Sequence, residues 1–261
     1  MITAENYFSP ENNMKYMGSS QFKAFQKCEA AALAEIKGEY VRPTSDALLI
    51  GSYVDAHFEG TLDTFKYHHK EIFKKDGSLK SQYEHANYMI QRAERDELFM
   101  KYMSGEKQKI FTGEIAGVPF KIKVDSYHPT CIVDLKCMKD FDSQWNDEER
   151  KREHFILHWG YHIQGAIYSE IVRQNTGNTL PFYIAAISKE KPEPDIRLYW
   201  IPGDVLDDAL NEVMSLASRF QKIKTGELVP QRCEKCEWCK HTKVLTTPVN
   251  FLEECEVYEV E

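Results

Sequence analysis

The feature that most constrains this chain is a pair of predicted strands, KIKVDSYHPTCIVDLKC, at residues 121–137. Side chains alternate between the two faces of a strand, so Asp134 and Lys136 lie on the same face. The first strand alternates apolar and charged residues and reaches Asp125. Because a short turn at residues 127–130 folds the second strand back, we expect Asp125 and Asp134 to lie close together.

The composition is that of an ordinary globular protein, with 261 residues, 42% of them hydrophobic and 28% charged. No run approaches the roughly 18 consecutive apolar residues that a membrane span needs. The first residues, MITAENYFSPENN, lack the basic start and apolar core of a signal peptide, so we expect a cytoplasmic protein. The net charge of -8 argues against non-specific coating of nucleic acid, although a local basic channel remains compatible with it.

Hydrophobic periodicity predicts helices on either side of a run of strands. The predicted helices are 19–38, 45–62, 83–102, 154–174 and 204–224. The predicted strands are 107–116, 117–125, 131–137, 181–189 and 196–202, and the charged segment 140–153 is expected to be a loop or a short helix. This order predicts an α/β fold with a mixed central β-sheet flanked by helices.

We expect a single domain with three parts. These are an N-terminal helical part (about 1–105), a core that carries the strand pair (about 106–225) and a cysteine-rich tail (about 226–261). In that tail Cys233, Cys236 and Cys239 follow one another at intervals of three, which is too dense for chance packing of buried thiols. The spacing predicts ligands of zinc or of an iron–sulfur centre, or else reduced thiols near the surface. Three residues could supply a fourth ligand: Cys28, Cys255 and His241.

Two strands that carry Asp and then Asp-x-Lys have a direct use in phosphodiester hydrolysis. Converging carboxylates bind Mg²⁺ or Mn²⁺, which prefer oxygen ligands, and such ions acidify water and offset charge on a phosphate. Lys136 would orient the attacking water or stabilise the developing negative charge. A simple ion pair between Asp134 and Lys136 fits the same pattern, so the strand pair alone leaves both interpretations open.

Four motifs, in this order, resemble the PD-(D/E)XK nuclease superfamily and its RecB-like group: GSYVDAHFEG, KVDSY, IVDLKC and GYHIQGAIYSEI. Within that group the chain is similar to the RecE-type (exonuclease VIII) and lambda-type alkaline exonucleases of phages and prophages. The resemblance extends over about residues 19–240 and implies a restriction-endonuclease-like core.

The resemblance also implies roles for individual residues. The implied metal ligands, for two Mg²⁺ or Mn²⁺ ions per site, are His57, Asp125, Asp134 and the backbone carbonyl of Leu135. The implied catalytic residues are Asp125, Asp134, Lys136, Gln164 and, by a weaker correspondence, Glu114. The expected DNA contacts are Gln164 and Tyr168 of a Q-x-x-x-Y signature, with Tyr161 on the same side of the helix.

Cys28 on an early helix, together with Cys233, Cys236 and Cys239, resembles the arrangement in which several RecB-like nucleases hold a [4Fe-4S] cluster. The spacing here is tighter than the usual cluster pattern, and RecE-type exonucleases need not have a cluster. Zinc and the absence of any bound metal therefore remain alternatives.

The resemblance implies a Mg²⁺-dependent 5′–3′ exodeoxyribonuclease that resects linear double-stranded DNA and leaves 3′ single-stranded overhangs for recombination. The chain contains no G-x-x-x-x-G-K-[ST] stretch, so we expect activity without ATP. The implied assembly is a ring of three or four subunits in the cytoplasm of a bacterial host cell, and the implied partner is a single-strand annealing protein. The alternatives are a CRISPR-associated RecB-like nuclease, a restriction-type endonuclease and a non-catalytic DNA-binding protein.

Overall fold

The computed structural model describes residues 2–147, 149–248 and 250–251. Its α-helices are α1 (Pro10–Lys15), α2 (Ser19–Lys27), α3 (Glu29–Lys37), α4 (Asp46–Glu59), α5 (Leu62–His68), α6 (His85–Glu94), α7 (Glu97–Tyr102), α8 (Phe155–His158), α9 (Tyr161–Thr176), α10 (Gly203–Lys224) and α11 (Glu237–His241). Its strands are β1 (Glu106–Ile115), β2 (Val118–His128), β3 (Cys131–Met138), β4 (Gln144–Asn146), β5 (Lys151–Glu153), β6 (Phe182–Ser188) and β7 (Ile196–Ile201).

Five strands form one sheet in the order β1-β2-β3-β6-β7. The pair β3 and β6 is parallel, and the other neighbouring pairs are antiparallel. Parallel neighbours need a long crossover connection, and the segment between β3 and β6 supplies one that contains α9. The predicted mixed α/β sheet is confirmed.

Helices cover both faces of the sheet because both faces are apolar. On one face Ile122 and Ile132 belong to the larger hydrophobic cluster, which includes residues of α2, α9 and α10. On the other face Val133 and Leu135 pack with residues of α4, α6 and α7. The strand pair β2–β3 therefore lies between two helical layers, with α4 on one side and α9 on the other. None of the described helices has the length and apolar character needed to span a membrane.

Four predicted elements differ in the structure. The helices predicted at 83–102 and 154–174 are each divided in two, because Asp96 caps the start of α7 and the left-handed backbone of Gly160 separates α8 from α9. The helix predicted at 19–38 is interrupted at Cys28, whose extended backbone (φ -165°, ψ 109°) separates α2 from α3. The charged segment 140–153, predicted as a loop or short helix, instead contains the hairpin β4–β5. This correction has a local cause: Asn146 and Glu153 are joined by a side-chain hydrogen bond of 3.1 Å across the hairpin, a contact that charge content alone does not reveal.

Candidate active site

The site forms where β2 and β3 separate. Their ladder ends at the pair Ser126–Val133, and the next residue of β2 is Asp125. One carboxylate oxygen of Asp125, Oδ2, accepts the backbone N–H of Leu135 at 2.9 Å, and Oδ1 accepts Nε2 of Gln108 at 3.1 Å. The Asp125 side chain thus bridges the opening between the strands, as the turn in the sequence led us to expect.

Asp134 and Lys136 point from β3 to the side of the sheet that α9 covers. Asp134 is buried, with 2% exposure. Its Oδ1 accepts Nε2 of Gln164 at 2.7 Å, and its Oδ2 forms an ion pair with Nζ of Lys136. Nζ of Lys136 also donates to the carbonyl oxygen of Leu135 at 3.1 Å. Asp134 and Lys136 are therefore paired with one another, and Gln164 of α9 holds the Asp134 carboxylate in place.

These strand residues lie in an open cleft of about 540 Å³. On one side α4 contributes Asp55 and Glu59, which are one helical turn apart and so share a face. On the other side α9 contributes Gln164 and Tyr168, whose hydroxyl donates to the backbone carbonyl of Lys123 at 3.1 Å. We call this space the carboxylate cleft and define it by Asp55, Asp125, Asp134 and Lys136.

Burial and mutual repulsion perturb the acids of the carboxylate cleft. Burial, reinforced by the charge of Asp125, raises the pKa of Asp55 to about 8. Burial also raises the pKa of Asp134 to about 6, although the Lys136 ammonium opposes that shift. Burial acts to lower the pKa of Lys136, but the charges of Asp134 and Asp125 outweigh it and raise the pKa. Lys136 is therefore a permanent cation and not a proton acceptor at neutral pH.

The donor set fits a hard divalent cation. Five carboxylates line the cleft, those of Glu35, Asp55, Glu59, Asp125 and Asp134, and Leu135 lines it as well. Oδ1 of Asp55 is buried and has no hydrogen-bond partner among the described residues. A buried carboxylate oxygen without a partner is costly, and a cation of Mg²⁺ or Mn²⁺ type would satisfy it and offset the repulsion between the acids.

His57 does not line the carboxylate cleft. It is on α4, but its Nε2 is 2.8 Å from a carboxylate oxygen of Glu94 on α6. Residues two apart on a helix are separated by roughly 200° around its axis, so Asp55 and His57 cannot face the same way. The sequence reasoning missed Asp55, although its spacing of four from Glu59 was a signal for a shared acidic face.

Two other candidates lie away from the centre of the cleft. Glu114 is exposed on β1, where its backbone N–H and carbonyl bond the side-chain amide of Gln174, and it does not line the cleft. Tyr161 lies at the margin, with its ring centroid 5.2 Å from Nζ of Lys136 and 5.0 Å from Nζ of Lys23. The structure therefore brings Tyr161 next to the strand lysine but leaves Glu114 apart.

The second group is a four-cysteine site, made of Cys28, Cys233, Cys236 and Cys239, whose sulfur atoms all lie within 4.8 Å of one another. Sγ of Cys28 is 3.6 Å from that of Cys239 and 3.8 Å from that of Cys236. The extended backbone at Cys28, which ends α2, is what aims this thiol at the C-terminal segment. Of the other two candidates for a fourth ligand, His241 is not in the group, and Cys255 lies outside the described residues.

The sulfur spacing distinguishes two kinds of metal centre. Four thiolates at about 2.3 Å from one zinc ion form a tetrahedron with edges of about 3.8 Å. Three of the six sulfur–sulfur distances, 3.6, 3.8 and 4.0 Å, match such edges. A [4Fe-4S] cluster binds each thiolate through a different iron and therefore holds the sulfurs further apart. The four-cysteine site fits a single tetrahedral ion better than a cluster.

Comparisons with known proteins agree with this architecture. Residues 18–242 match the family model described as a PDDEXK-like domain of unknown function (DUF3799). The structure is similar, with a TM-score of 0.92, to a crystal structure of a protein from Eubacterium rectale described as "Putative exonuclease". The two sequences are 45% identical over 98% of this chain and 99% of the other. No curated protein matches the chain.

Proposed function

The chain belongs to the PDDEXK-like family DUF3799, and on that premise we propose that it is a divalent-metal-dependent exodeoxyribonuclease whose active site is the carboxylate cleft. The resemblance of its motifs to the PD-(D/E)XK superfamily is confirmed, while the narrower resemblance to RecE-type and lambda-type enzymes stays a prediction. The observation that carries the proposal is the convergence of three carboxylates and a charged lysine in one open cleft.

Asp55, Asp125, Asp134 and the Leu135 carbonyl would hold the metal, which supplies positive charge at the phosphate and an acidified water. In this proposed ligand set, Asp55 replaces His57, the residue of α4 that the motif resemblance had implied as a metal ligand. Gln164 holds one oxygen of Asp134 and so fixes which oxygen faces Lys136.

The Lys136 ammonium stays charged and is placed to donate to a phosphate oxygen or to orient the attacking water. Tyr168 hydrogen-bonds the backbone of β2 and fixes the spacing between α9 and the strand that carries Asp125. These side chains position the reacting groups.

The proposed substrate is an end of linear double-stranded DNA, which is cleaved from 5′ to 3′ to leave a 3′ overhang. The identity of 45% with a chain described as an exonuclease supports attack at ends over internal cleavage. The motif resemblance alone supports four further features. These are the polarity of degradation, independence from ATP, a ring of three or four subunits and a single-strand annealing partner.

Labelled DNA tests this proposal. Linear duplex labelled at the 5′ or the 3′ end, and covalently closed circular duplex, are incubated with the protein in Mg²⁺ or in EDTA. We expect Mg²⁺-dependent release of 5′-labelled mononucleotide ahead of the 3′ label, while the circle stays intact. Cutting of the closed circle would establish the endonuclease alternative, and binding without degradation of any substrate would establish the non-catalytic one.

For the four-cysteine site we propose one structural zinc ion that ties the C-terminal segment to the junction of α2 and α3. The support is the sulfur spacing and the closed set of four thiols. Elemental analysis of protein prepared without oxygen should find one zinc per chain and no visible absorbance. Iron together with visible absorbance would reject zinc and would favour the CRISPR-associated alternative.

A further inference from the structure

A second concave surface adjoins the carboxylate cleft. It is a groove of about 210 Å³ between α2 and the junction of α8 with α9. We call it the basic groove and define it by Ser20, Lys23, Lys27, Arg42, Trp159 and Tyr161. Ser20 lines both the groove and the cleft, and the Tyr161 ring also contacts Lys136, so the two spaces are continuous.

The basic groove concentrates positive charge on a protein whose net charge is -8. Lys23 and Lys27 are four residues apart on α2, a spacing at which like charges repel. No carboxylate is among the described residues that line the groove. Burial, together with the charge of Lys136, lowers the pKa of Lys23 to about 8, and burial and Arg42 lower that of Lys27. Arg42 is paired with Glu35, but Lys23 and Lys27 form no ion pair among the described residues, and an anionic ligand would supply one.

An aromatic platform lies beside these cations. Trp159 is 41% exposed, so part of its ring is open to a ligand. Nζ of Lys27 is 5.3 Å from its ring centroid, and Nζ of Lys23 donates to its backbone carbonyl at 3.3 Å. The next residue, Gly160, has a left-handed backbone (φ 63°), and an added Cβ there would come within 2.9 Å of the Lys23 side chain. The turn thus holds Trp159 against the two lysines.

Cations that follow a groove, combined with an exposed aromatic ring, are the features that bind single-stranded nucleic acid: the cations hold phosphates and the ring stacks on a base. We propose that the basic groove binds unpaired nucleotides of a DNA strand, with a base on Trp159 and phosphates on Lys23, Lys27 and Arg42. This inference rests on the proposed nuclease function, because the groove opens into the cleft where a strand would be cut. It gives the enzyme a means to hold a frayed end in place of a blunt one.

Binding can be measured without catalysis. Fluorescence anisotropy in EDTA compares a labelled thymidine oligonucleotide, a blunt duplex and the same duplex with a short unpaired 5′ tail. We expect the wild type to bind the tailed duplex more tightly than the blunt one. Trp159→Ala should weaken oligonucleotide binding roughly five- to 150-fold, the range for loss of one base stack, and should remove the preference for the tail.

The salt dependence separates the two kinds of contact. Lys27→Ala should reduce the slope of log affinity against log salt by about 0.7, the value for one lost single-strand phosphate contact, whereas Trp159→Ala should leave that slope unchanged. Trp159→Phe should retain most of the affinity. The matched controls are Trp200→Phe, at a tryptophan 59% exposed on β7, and Lys75→Ala, at an exposed lysine remote from the groove.

The outcomes separate this inference from the proposed function. If wild-type protein degrades DNA but Trp159→Ala and Lys27→Ala bind the oligonucleotide as the wild type does, the groove assignment is wrong and the nuclease assignment stands. If the oligonucleotide binds as expected while no DNA is degraded, the groove assignment stands and the nuclease assignment is wrong. Equal competition by polyglutamate, with no effect of Trp159→Ala, would show an acidic-peptide site and would overturn the inference.

Discussion

The carboxylate cleft and the four-cysteine site both gather side chains that can bind a metal ion, but they do so in opposite ways. The acids of the cleft come from separate elements and line an open space, and burial, reinforced by the charge of Asp125, raises the pKa of Asp55 to about 8. The four thiols lie within 4.8 Å of one another, and Cys239 is fully buried. Structural metal sites are closed by protein ligands, whereas catalytic sites keep a position open. The difference supports the proposal that the cleft carries the chemistry and that the cysteines contribute stability.

The largest expected effect is on activity at the cleft. Lys136→Ala should lower the rate of nucleotide release by about 10³-fold, because it removes a preorganised cation from the developing charge. The folded state should persist, as judged by thermal melting. Lys139→Ala is the matched control, since that side chain is 93% exposed at the end of the same strand. A loss of less than tenfold for Lys136→Ala would remove the lysine from the catalytic centre.

The converse effect is expected at the four-cysteine site. Cys239→Ser replaces a buried thiolate with a poor zinc ligand and should lower the free energy of unfolding by about 3 kcal/mol or more, since metal binding is coupled to folding. The melting temperature would fall by roughly 10 °C, while the activity per folded molecule should change less than threefold. The control is Cys131→Ser, at a half-buried thiol of β3 outside the site. If Cys239→Ser abolishes activity without loss of stability, the comparison between the two sites fails.

The pH dependence sharpens the contrast further. Asp55 has a pKa of about 8 in the folded, metal-free protein and an ordinary value of 3.8. Its raised pKa contributes stability that is complete below pH 4 and is lost as the pH rises through about 8. In EDTA at pH 9, Asp55→Asn should therefore be more stable than wild type by at least about 1 kcal/mol, and the difference should shrink at pH 6.

Added Mg²⁺ should reverse that order, because the ionised Asp55 can then bind the cation and the amide cannot. Thermal melts of the wild type and of Asp55→Asn at pH 6 and at pH 9, each with EDTA or with Mg²⁺, measure the difference in stability under all four conditions. An Asn variant that gains as much stability from Mg²⁺ as the wild type would show that Asp55 is not a metal ligand.

The smallest effects are expected at two residues that the motif resemblance favoured. His57→Ala removes a partly exposed side-chain contact with Glu94, which contributes about 0.5 kcal/mol, and Glu114→Gln alters an exposed carboxylate. Both should change the rate of nucleotide release less than about threefold. A loss of 10²-fold or more for His57→Ala would show that His57 takes part in catalysis and that its exclusion from the site is wrong.

Much of the cleft could be predicted because the alternation of residues along a strand shows which side chains share a face. The alternation through Asp134 and Lys136 and the turn after Asp125 are local patterns, and the structure brings all three side chains together. The spacing of residues along a helix shows which of them share a face, but it does not show which face packs against the sheet. For α4 the motif resemblance therefore pointed to His57 and missed Asp55, and only the packing of His57 against Glu94 of α6 shows which face is turned to the cleft.

The remaining differences come from contacts that neither hydrophobic periodicity nor charge content reports. The break at Cys28 follows no local signal strong enough to end a helix, and its sulfur meets that of Cys239, 211 residues later. The spacing of the C-terminal cysteines predicted a metal site, but only the assembled distances separate a single ion from a cluster. The hairpin in segment 140–153 depends likewise on cross-strand pairing that its charge content hides.

The most direct test of the central claim is the rate at which linear duplex DNA releases acid-soluble nucleotides as Mg²⁺ is raised, measured for wild type and for Asp125→Asn. The account predicts a saturable rise for the wild type from no activity in EDTA. It also predicts a rate at least about 10³-fold lower for the variant, whose zinc content and melting temperature stay close to those of the wild type. Activity without a divalent ion, or an Asp125→Asn variant as active as the wild type, would contradict it.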